Sequence, residues 1–239
     1  MLDHVQVTRY VTPLREGGSL PAIVEADNYG TYVMKFRGAG QGPLALVAEI
    51  ITGELARRLG LPTPELVLAS LDPRIPPSEP DPEIQDLMRA SIGLNLGVDF
   101  LPGSAGFDPL GWTAGETFAS EVLWLDALTQ NVDRTWRNPN LLVWHGDIWL
   151  IDHGASLYFQ HNWPGADPRK PYDARSHVLA DRAAFVPAAH EKLAPLITTE
   201  LLTEVTDLVP PECFGERGAT AYVSQLVERA PIVPEVIRR

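Results

Sequence analysis

Residues 131–155 read NVDRTWRNPNLLVWHGDIWLIDHGA. Two short apolar runs, at residues 141–144 and 148–151, flank a turn that contains Gly146 and Asp147. Apolar segments joined by a short turn of this composition are typical of a β-hairpin. The sequence therefore predicts a hairpin at this point, and the two ends of a hairpin lie close together.

Polar side chains lie on both sides of the predicted hairpin. Asp133, Asn138 and Asn140 precede it, and Asp152 follows it directly. We expect these four side chains to converge at the base of the hairpin. Their oxygens suit Mg²⁺, which binds one or two carboxylates and completes its shell with water and phosphate oxygens. By itself the stretch fits equally well an ordinary hairpin with solvated polar residues.

The order of these residues resembles the D-R-x-x-x-N and I-D-x-G motifs of HipA-type kinases and phosphatidylinositol kinases, within the protein-kinase-like superfamily. The resemblance implies that Asp133 lies near the attacking hydroxyl, and that Asp152 and one asparagine bind Mg²⁺. Spacing from Asp133 favours Asn138, whereas Asn140 directly precedes the strand, so both are candidates. Arg134 matches the arginine of the motif, and its role could be structural.

Composition restricts the class of protein. The 239 residues are 45% hydrophobic and 21% charged, as in globular proteins, and the net charge is −12. This charge argues against nucleic acid or an anionic membrane as a partner. Cys213 is the one cysteine, which excludes an internal disulfide. Without a signal peptide or a long apolar run, we expect a cytoplasmic protein with no membrane insertion.

The N-terminal third is predicted to form an antiparallel meander. Segments 4–13, 22–24 and 31–36 favour strands, with turns between them. The first turn contains Gly17, Gly18 and Ser19, whose backbone N–H groups could approach a phosphate. Lys35 lies within an apolar strand, where it must face solvent or meet an anion. The resemblance implies that Lys35 reaches the phosphates of ATP and pairs with a glutamate on the next helix.

That helix is predicted to begin at Pro43 and to end before Gly60. It offers Glu49 and Glu54 as partners for Lys35, and its resemblance to the corresponding HipA helix favours Glu49. Segments 66–71 and 92–101 are predicted strands, separated by a proline-rich loop. In this superfamily the second of these strands leads into a hinge that binds adenine, which implies that Asp99, Phe100 and Leu101 lie there.

The second half of the chain is predicted to be mainly helical. Thr113 and Glu116 fit a capping box before a helix that ends near residue 128. Glu121 and Asp126 on this helix are expected to be solvated. From residue 181 onward, apolar spacing predicts three or four further helices. The histidines lack metal-ligand spacing, so a structural role is expected for them.

Together these features predict an α+β, two-lobed protein-kinase-like fold. An antiparallel-sheet N-terminal lobe with one long helix is expected over residues 1–102. A mainly helical C-terminal lobe, over residues 103–239, would carry the catalytic loop and the metal-binding hairpin. The predicted activity is transfer of the γ-phosphoryl group of ATP, with Mg²⁺, to a hydroxyl of a protein or small molecule. The alternatives are an inactive nucleotide-binding pseudokinase or scaffold, and a metal-dependent transferase or hydrolase of another fold.

Overall fold

The structure is a computed structural model that describes residues 1–14, 20–40, 42–76 and 79–239. The chain forms two compact units. The first comprises Met1–Val47 and Pro64–Pro102, and the second comprises Ala48–Thr63 and Gly103–Arg239. Strands dominate the first unit and helices the second, so the predicted mixture of an α and a β part is confirmed.

Five strands form a closed barrel in the first unit, in the order β1-β2-β3-β5-β4. They are β1 (Asp3–Pro13), β2 (Ala22–Ala26), β3 (Thr31–Lys35), β4 (Leu66–Leu71) and β5 (Gly93–Asp99). The predicted meander β1-β2-β3 is confirmed as antiparallel. The contact between β1 and β4 is parallel, which departs from a purely antiparallel sheet. A parallel pair needs a long crossover, and the chain between β1 and β4 is long enough to supply one.

Alternation along the strands places the barrel core. In β2 every second residue is buried. Val24 of β2, Met34 of β3 and Ala69 of β4 are fully buried in the barrel core. The proline-rich loop ends in helix α2 (Pro82–Ala90), where Asp81 caps the first turn by accepting a hydrogen bond from the Glu83 N–H. Ile84 and Met88, four residues apart, pack its apolar side on the barrel core.

Helix α1 (Pro43–Arg58) begins and ends as the sequence predicts. From Ala48 onward it belongs to the second unit, whereas the predicted boundary placed the whole helix in the N-terminal lobe. The physical reason lies in its polar contacts. The Glu49 carboxylate accepts hydrogen bonds from the backbone of His153 and Gly154, and the Leu150 N–H donates to the Pro62 carbonyl. The sequence did not indicate these contacts, because they join residues that lie far apart in the chain.

The second unit contains the hairpin and a buried helix. Strands β6 (Ala105–Gly106), β7 (Leu141–Trp144) and β8 (Asp147–Leu150) form one sheet, which confirms the hairpin. Its turn has positive φ at His145 and Gly146, as tight hairpin turns require. Helix α3 (Glu116–Thr129) has Gly115 as its N-cap, so the predicted capping box is wrong. Burial on nearly all sides fixes this helix without a side-chain cap.

The C-terminal part is helical, as predicted. It contains α4 (Val186–Leu193), α5 (Thr199–Thr206), α6 (Gly218–Arg229) and the short α7 (Val233–Val236). Before them, β9 (Tyr172–Asp173) pairs in parallel with β10 (Ile237–Arg238). In the part of the chain that the structure describes, every helix is too short or too polar to cross a membrane.

Candidate active site

Asp133 and two asparagines form a hydrogen-bonded cluster on the 131–140 loop. The Oδ2 atom of Asp133 accepts from Asn138 Nδ2 at 2.8 Å and from Asn140 Nδ2 at 3.2 Å. Asn138 is exposed, whereas Asn140 is buried. Both amides use their nitrogen in these bonds, which directs their oxygens to other partners. Amide oxygens are ligands suited to a hard cation.

Asn140 and Asp152 lie at the two ends of the hairpin. The Ile151 N–H donates to the Asn140 carbonyl at 3.1 Å, which extends the β7–β8 ladder by one pair. Asp152 follows at once with φ of 54°, and Asn140 has φ of 49°. Asn and Asp are the non-glycine residues that tolerate this left-handed conformation best. The bond from the Ile151 N–H places the backbone of Asn140 opposite Ile151, the residue directly before Asp152.

Glu49 fixes the backbone that follows Asp152. Its two carboxylate oxygens accept from the N–H groups of His153 and Gly154, each at 2.9 Å, and only 3% of the residue is exposed. Two charge-assisted bonds to consecutive amides hold a segment more firmly than one. Glu54, the other candidate on α1, forms an ion pair with Arg57. The predicted pairing of Glu49 with Lys35 stays a prediction.

Arg134 connects the 131–140 loop with the segment after the hairpin. Its Nε donates to Asp126 Oδ2 at 2.6 Å, and its Nη1 donates to the carbonyls of Asn140 and, at 3.4 Å, Ile151. Its Nη2 lies 3.3 Å from Nδ1 of His153. Because Arg134 is buried, these contacts take the place of solvent around its charge. The arginine thus has a structural role, and it reaches both ends of the hairpin.

Asp126 is a buried partner of this site that the sequence pattern did not indicate. It was expected to be solvated, and this was wrong, since Asp126 on α3 is fully buried. It also accepts from Asn131 Nδ2 and from His177 Nε2 at 2.9 Å. The Leu179 N–H donates to His177 Nδ1, so the proton of the neutral ring lies on Nε2. Burial raises the pKa of Asp126, but the charge of Arg134 and the bond from His177 outweigh it and lower that pKa to about 2.

The expectation that Glu121 is solvated was wrong as well. It was also predicted to be solvated, but it is buried and accepts from Lys192 Nζ at 2.6 Å. The signal that could have indicated both residues is their place in an almost unbroken apolar run, LWLDAL in the case of Asp126. A carboxylate inside such a run needs a partner if the whole helix is buried.

The remaining candidate residues lie in the first unit. Lys35 ends β3 opposite Leu96. The Asp99 N–H donates to the Glu65 carbonyl, and the Phe100 N–H donates to the Thr31 carbonyl. Burial and then the charge of Glu65 raise the pKa of Asp99. Leu101 follows and is buried. The phosphate-binding residues predicted in the first turn, Gly17, Gly18 and Ser19, lie outside the described residues.

Solved structures of kinases share the fold of this chain. A Helicobacter pylori proinflammatory kinase, CtkA, matches with a TM-score of 0.58 at 14% identity, over 99% of this chain and 95% of that one. A Golgi casein kinase with Mn/ADP bound matches with a TM-score of 0.55 at 13% identity, over 98% of this chain and 72% of that one. Another structure of the Golgi casein kinase gives 0.54 at 12% identity, over the same shares. The fold is therefore that of the protein-kinase-like superfamily, as predicted.

The family follows from the sequence. A family model described as HipA-like kinase matches residues 7–184, which is most of the chain. The protein belongs to the HipA-like kinase family and is a phosphotransferase. No curated protein matches its sequence significantly.

Proposed function

We propose that this kinase transfers the γ-phosphoryl group of ATP to an alcohol acceptor, with Mg²⁺ as the cofactor. The observation that carries the proposal is the Asp133 carboxylate, which is held by the amides of Asn138 and Asn140 at the base of the hairpin that leads to Asp152. A base, an amide oxygen and a second carboxylate are the parts that phosphoryl transfer needs.

Asn140 and Asp152 are the proposed ligands of Mg²⁺. Their oxygens fit a hard cation, and the hydrogen bond from the Ile151 N–H to the Asn140 carbonyl, which joins the two ends of the hairpin, favours Asn140 over Asn138. Among the described residues, groups of three or more His, Cys, Asp and Glu that could hold a metal are absent. This fits Mg²⁺, which takes few protein ligands and shares the phosphate oxygens of its substrate. When bound, it would neutralise charge between the phosphates. The Mn/ADP in the Golgi casein kinase supports nucleotide and divalent metal as ligands of this fold.

Asp133 is proposed to accept the proton of the attacking hydroxyl. The acceptor oxygen then bonds to the γ-phosphorus, the bond from that phosphorus to the β–γ bridging oxygen breaks, and ADP leaves. The chain mainly supplies position and charge, because the transition state of this transfer demands little covalent work from the protein. Two amides that donate to one oxygen of Asp133 hold that carboxylate in a single orientation.

The remaining roles follow the family resemblance. Lys35 would neutralise the phosphates. Glu49 would position the Asp152 segment through its bonds to His153 and Gly154, and would pair with Lys35. Asp99, Phe100 and Leu101 would bind adenine, and Gly17, Gly18 and Ser19 would approach the phosphates.

The role of Asp133 is tested by Asp133→Asn. We expect the turnover of Mg²⁺-ATP to fall by about 10²- to 10⁴-fold, the range for a lost general base. The increase in melting temperature on adding ATP should persist, since binding at 100 times Kd stabilises by about 2.7 kcal/mol in both proteins. Asp147→Asn, at the exposed first position of β8, is the matched control. Equal turnover in the two variants would contradict the assignment.

The choice between the asparagines is tested with glycine, which accepts the left-handed φ of Asn140 without strain. We expect Asn140→Gly to raise the Mg²⁺ concentration needed for half-maximal turnover at least tenfold, whereas Asn138→Gly should change it by less than about threefold. The reverse order would assign the metal to Asn138. If neither variant changes the Mg²⁺ dependence, neither asparagine is a ligand.

A further inference from the structure

The backbone conformation of Asp152 needs support from its surroundings. Asp152 has φ of 54°, and residues other than glycine seldom adopt this left-handed region. A residue in such a conformation is strained, and it keeps the conformation only where the surrounding structure holds it. The direction of the Asp152 carboxylate, which the proposed Mg²⁺ site uses, therefore depends on the contacts of the residues on either side of it.

The segment that follows helix α1 binds the strand that leads to Asp152. The Leu150 N–H donates to the Pro62 carbonyl at 2.8 Å, and the Leu150 carbonyl accepts a hydrogen bond from the Thr63 hydroxyl at 3.1 Å. Leu150 is fully buried and Thr63 is only 9% exposed, so both bonds are shielded from water. The two polar backbone groups of the last residue of β8 thus have their partners in this short segment.

The end of helix α1 directs the segment toward β8. Gly60 follows the helix with φ of 81°, and its N–H donates to the Arg57 carbonyl at 3.1 Å. The Leu61 N–H donates to the Ala56 carbonyl at 2.9 Å. These two bonds around a left-handed glycine form a Schellman motif, which satisfies carbonyls at the end of a helix and fixes where the chain leaves it. The next two residues therefore have a defined position relative to α1.

Helix α1 and its exit thus hold the backbone on both sides of Asp152. After it, the Glu49 carboxylate accepts the next two backbone N–H groups, each at 2.9 Å. Before it, the Thr63 hydroxyl binds the carbonyl of Leu150. Both contacts lie within the second compact unit, which also contains the hairpin. Because the strained residue lies between them, the loss of either contact would allow its backbone to relax.

We propose that Thr63 is a positioning residue for phosphoryl transfer, because its hydroxyl holds the strand that presents Asp152 to Mg²⁺. The inference rests on the proposed function, in which Asp152 is a ligand of the metal. Thr63 acts through the Leu150 carbonyl rather than by contact with the metal or the substrate. Its loss should therefore change the Mg²⁺ dependence of the enzyme, which the loss of a merely structural hydrogen bond would leave as it is.

The test is Thr63→Val, which keeps the shape of the side chain and removes the hydroxyl. We expect the Mg²⁺ concentration for half-maximal ATP turnover to rise about fivefold, the effect of one lost hydrogen bond. Thr63→Ser restores the donor and should return this concentration to within about twofold of the wild-type value. Thr206→Val is the matched control, because the Thr206 hydroxyl is also buried and donates to the Thr203 carbonyl at 3.1 Å. It should leave the Mg²⁺ dependence unchanged.

Amide hydrogen exchange gives a readout that does not depend on activity. Exchange over residues 150–154 should be about fivefold faster in Thr63→Val and should keep the wild-type rate in Thr206→Val. If the two variants exchange alike over these residues, Thr63 does not hold the Asp152 segment and the proposal is overturned. Faster exchange in Thr63→Val with an unchanged Mg²⁺ dependence would make Thr63 a structural residue only, and would also overturn the proposal.

The same variants separate this inference from the proposed function. The Mg²⁺ dependence is also measured as the increase in melting temperature that ATP causes, which needs binding but no phosphoryl transfer. A wild type that binds Mg²⁺-ATP without turnover would refute the kinase function, and the Mg²⁺ dependence of that increase would still decide the role of Thr63. Normal turnover with the same Mg²⁺ dependence in Thr63→Val and Thr206→Val would refute the positioning role alone.

Discussion

Replacing Asp126 with asparagine should destabilise this kinase strongly. Asp126 and Arg134 are both fully enclosed and form an ion pair at 2.6 Å. The Asp126→Asn substitution keeps the shape of the side chain but leaves the Arg134 charge buried without its counter-ion. Removing one partner of a buried ion pair typically costs about 3 to 5 kcal/mol. At about 2 to 4 °C per kcal/mol for a chain of this size, the melting temperature should fall by at least about 6 °C.

The pKa of Asp126 gives a second measure of the same effect. The charge of Arg134 and the bond from His177 outweigh burial and lower this pKa from 3.8 to about 2. Such a shift is worth about 2 kcal/mol. Because the folded protein binds this proton more weakly than the unfolded chain, the stabilisation is complete above about pH 4 and is lost as the pH falls toward 2. The difference in the free energy of unfolding between the wild type and Asp126→Asn should therefore decrease as the pH falls from about 4 toward 2.

The assay is thermal unfolding followed by circular dichroism at pH 7, and urea unfolding at pH values from 5 to about 3. Glu121→Gln is the matched control, since it makes the same change on the same helix. Its partner Lys192 is 58% exposed, so we expect a loss below about 1 kcal/mol. Equal decreases in melting temperature for the two variants would refute the distinction between the fully buried Asp126–Arg134 pair and the Glu121–Lys192 pair, whose lysine is exposed. If the difference in unfolding free energy between the wild type and Asp126→Asn stays constant down to pH 3, the lowered pKa of Asp126 is refuted.

Two further predictions concern two other buried charged residues, Glu49 and Arg229. Glu49→Gln should lower turnover and raise the Mg²⁺ requirement several-fold, because one of its two backbone bonds at 2.9 Å is lost. Glu54→Gln on the same helix is the control, and an equal effect on Mg²⁺ dependence would contradict the role of Glu49. Arg229→Met should lower the free energy of unfolding by about 2 to 4 kcal/mol. It should also speed proteolysis within residues 166–171, because Arg229 binds the carbonyls of Pro168 and Lys170. Limited proteolysis checks this against the exposed Arg238→Met, and an unchanged cleavage rate would refute it.

Local pattern was enough to predict the secondary structure around the site. The β-favouring composition between turn signals predicted β2 and β3, and the Gly- and Asp-containing turn predicted the β7–β8 hairpin. Composition and turn chemistry act between residues that are near in sequence, so they can be recognised without knowledge of the fold. The order of the motifs along the chain, from Lys35 to Asp152, likewise indicated the kinase fold.

Local sequence pattern could not predict the partners of the buried charged residues. Asp126 and Glu121 were expected to be solvated, yet both lie on a helix that is buried on nearly all sides. The contacts of Asp126 come from residues 131, 134 and 177, and the last of these is 51 positions away. No local pattern specifies such a contact, because it depends on how distant segments pack.

The sequence by itself determined the elements, their order and the residue types that phosphoryl transfer requires. The tertiary structure decided which groups meet. It joined the carboxylate of Glu49 to the backbone N–H groups after Asp152, and it placed Asn140 at the base of the hairpin. The physical reason is that secondary structure follows from short-range sterics and periodicity, whereas the pairing of buried polar groups follows from long-range packing, which encloses them and removes water as a partner.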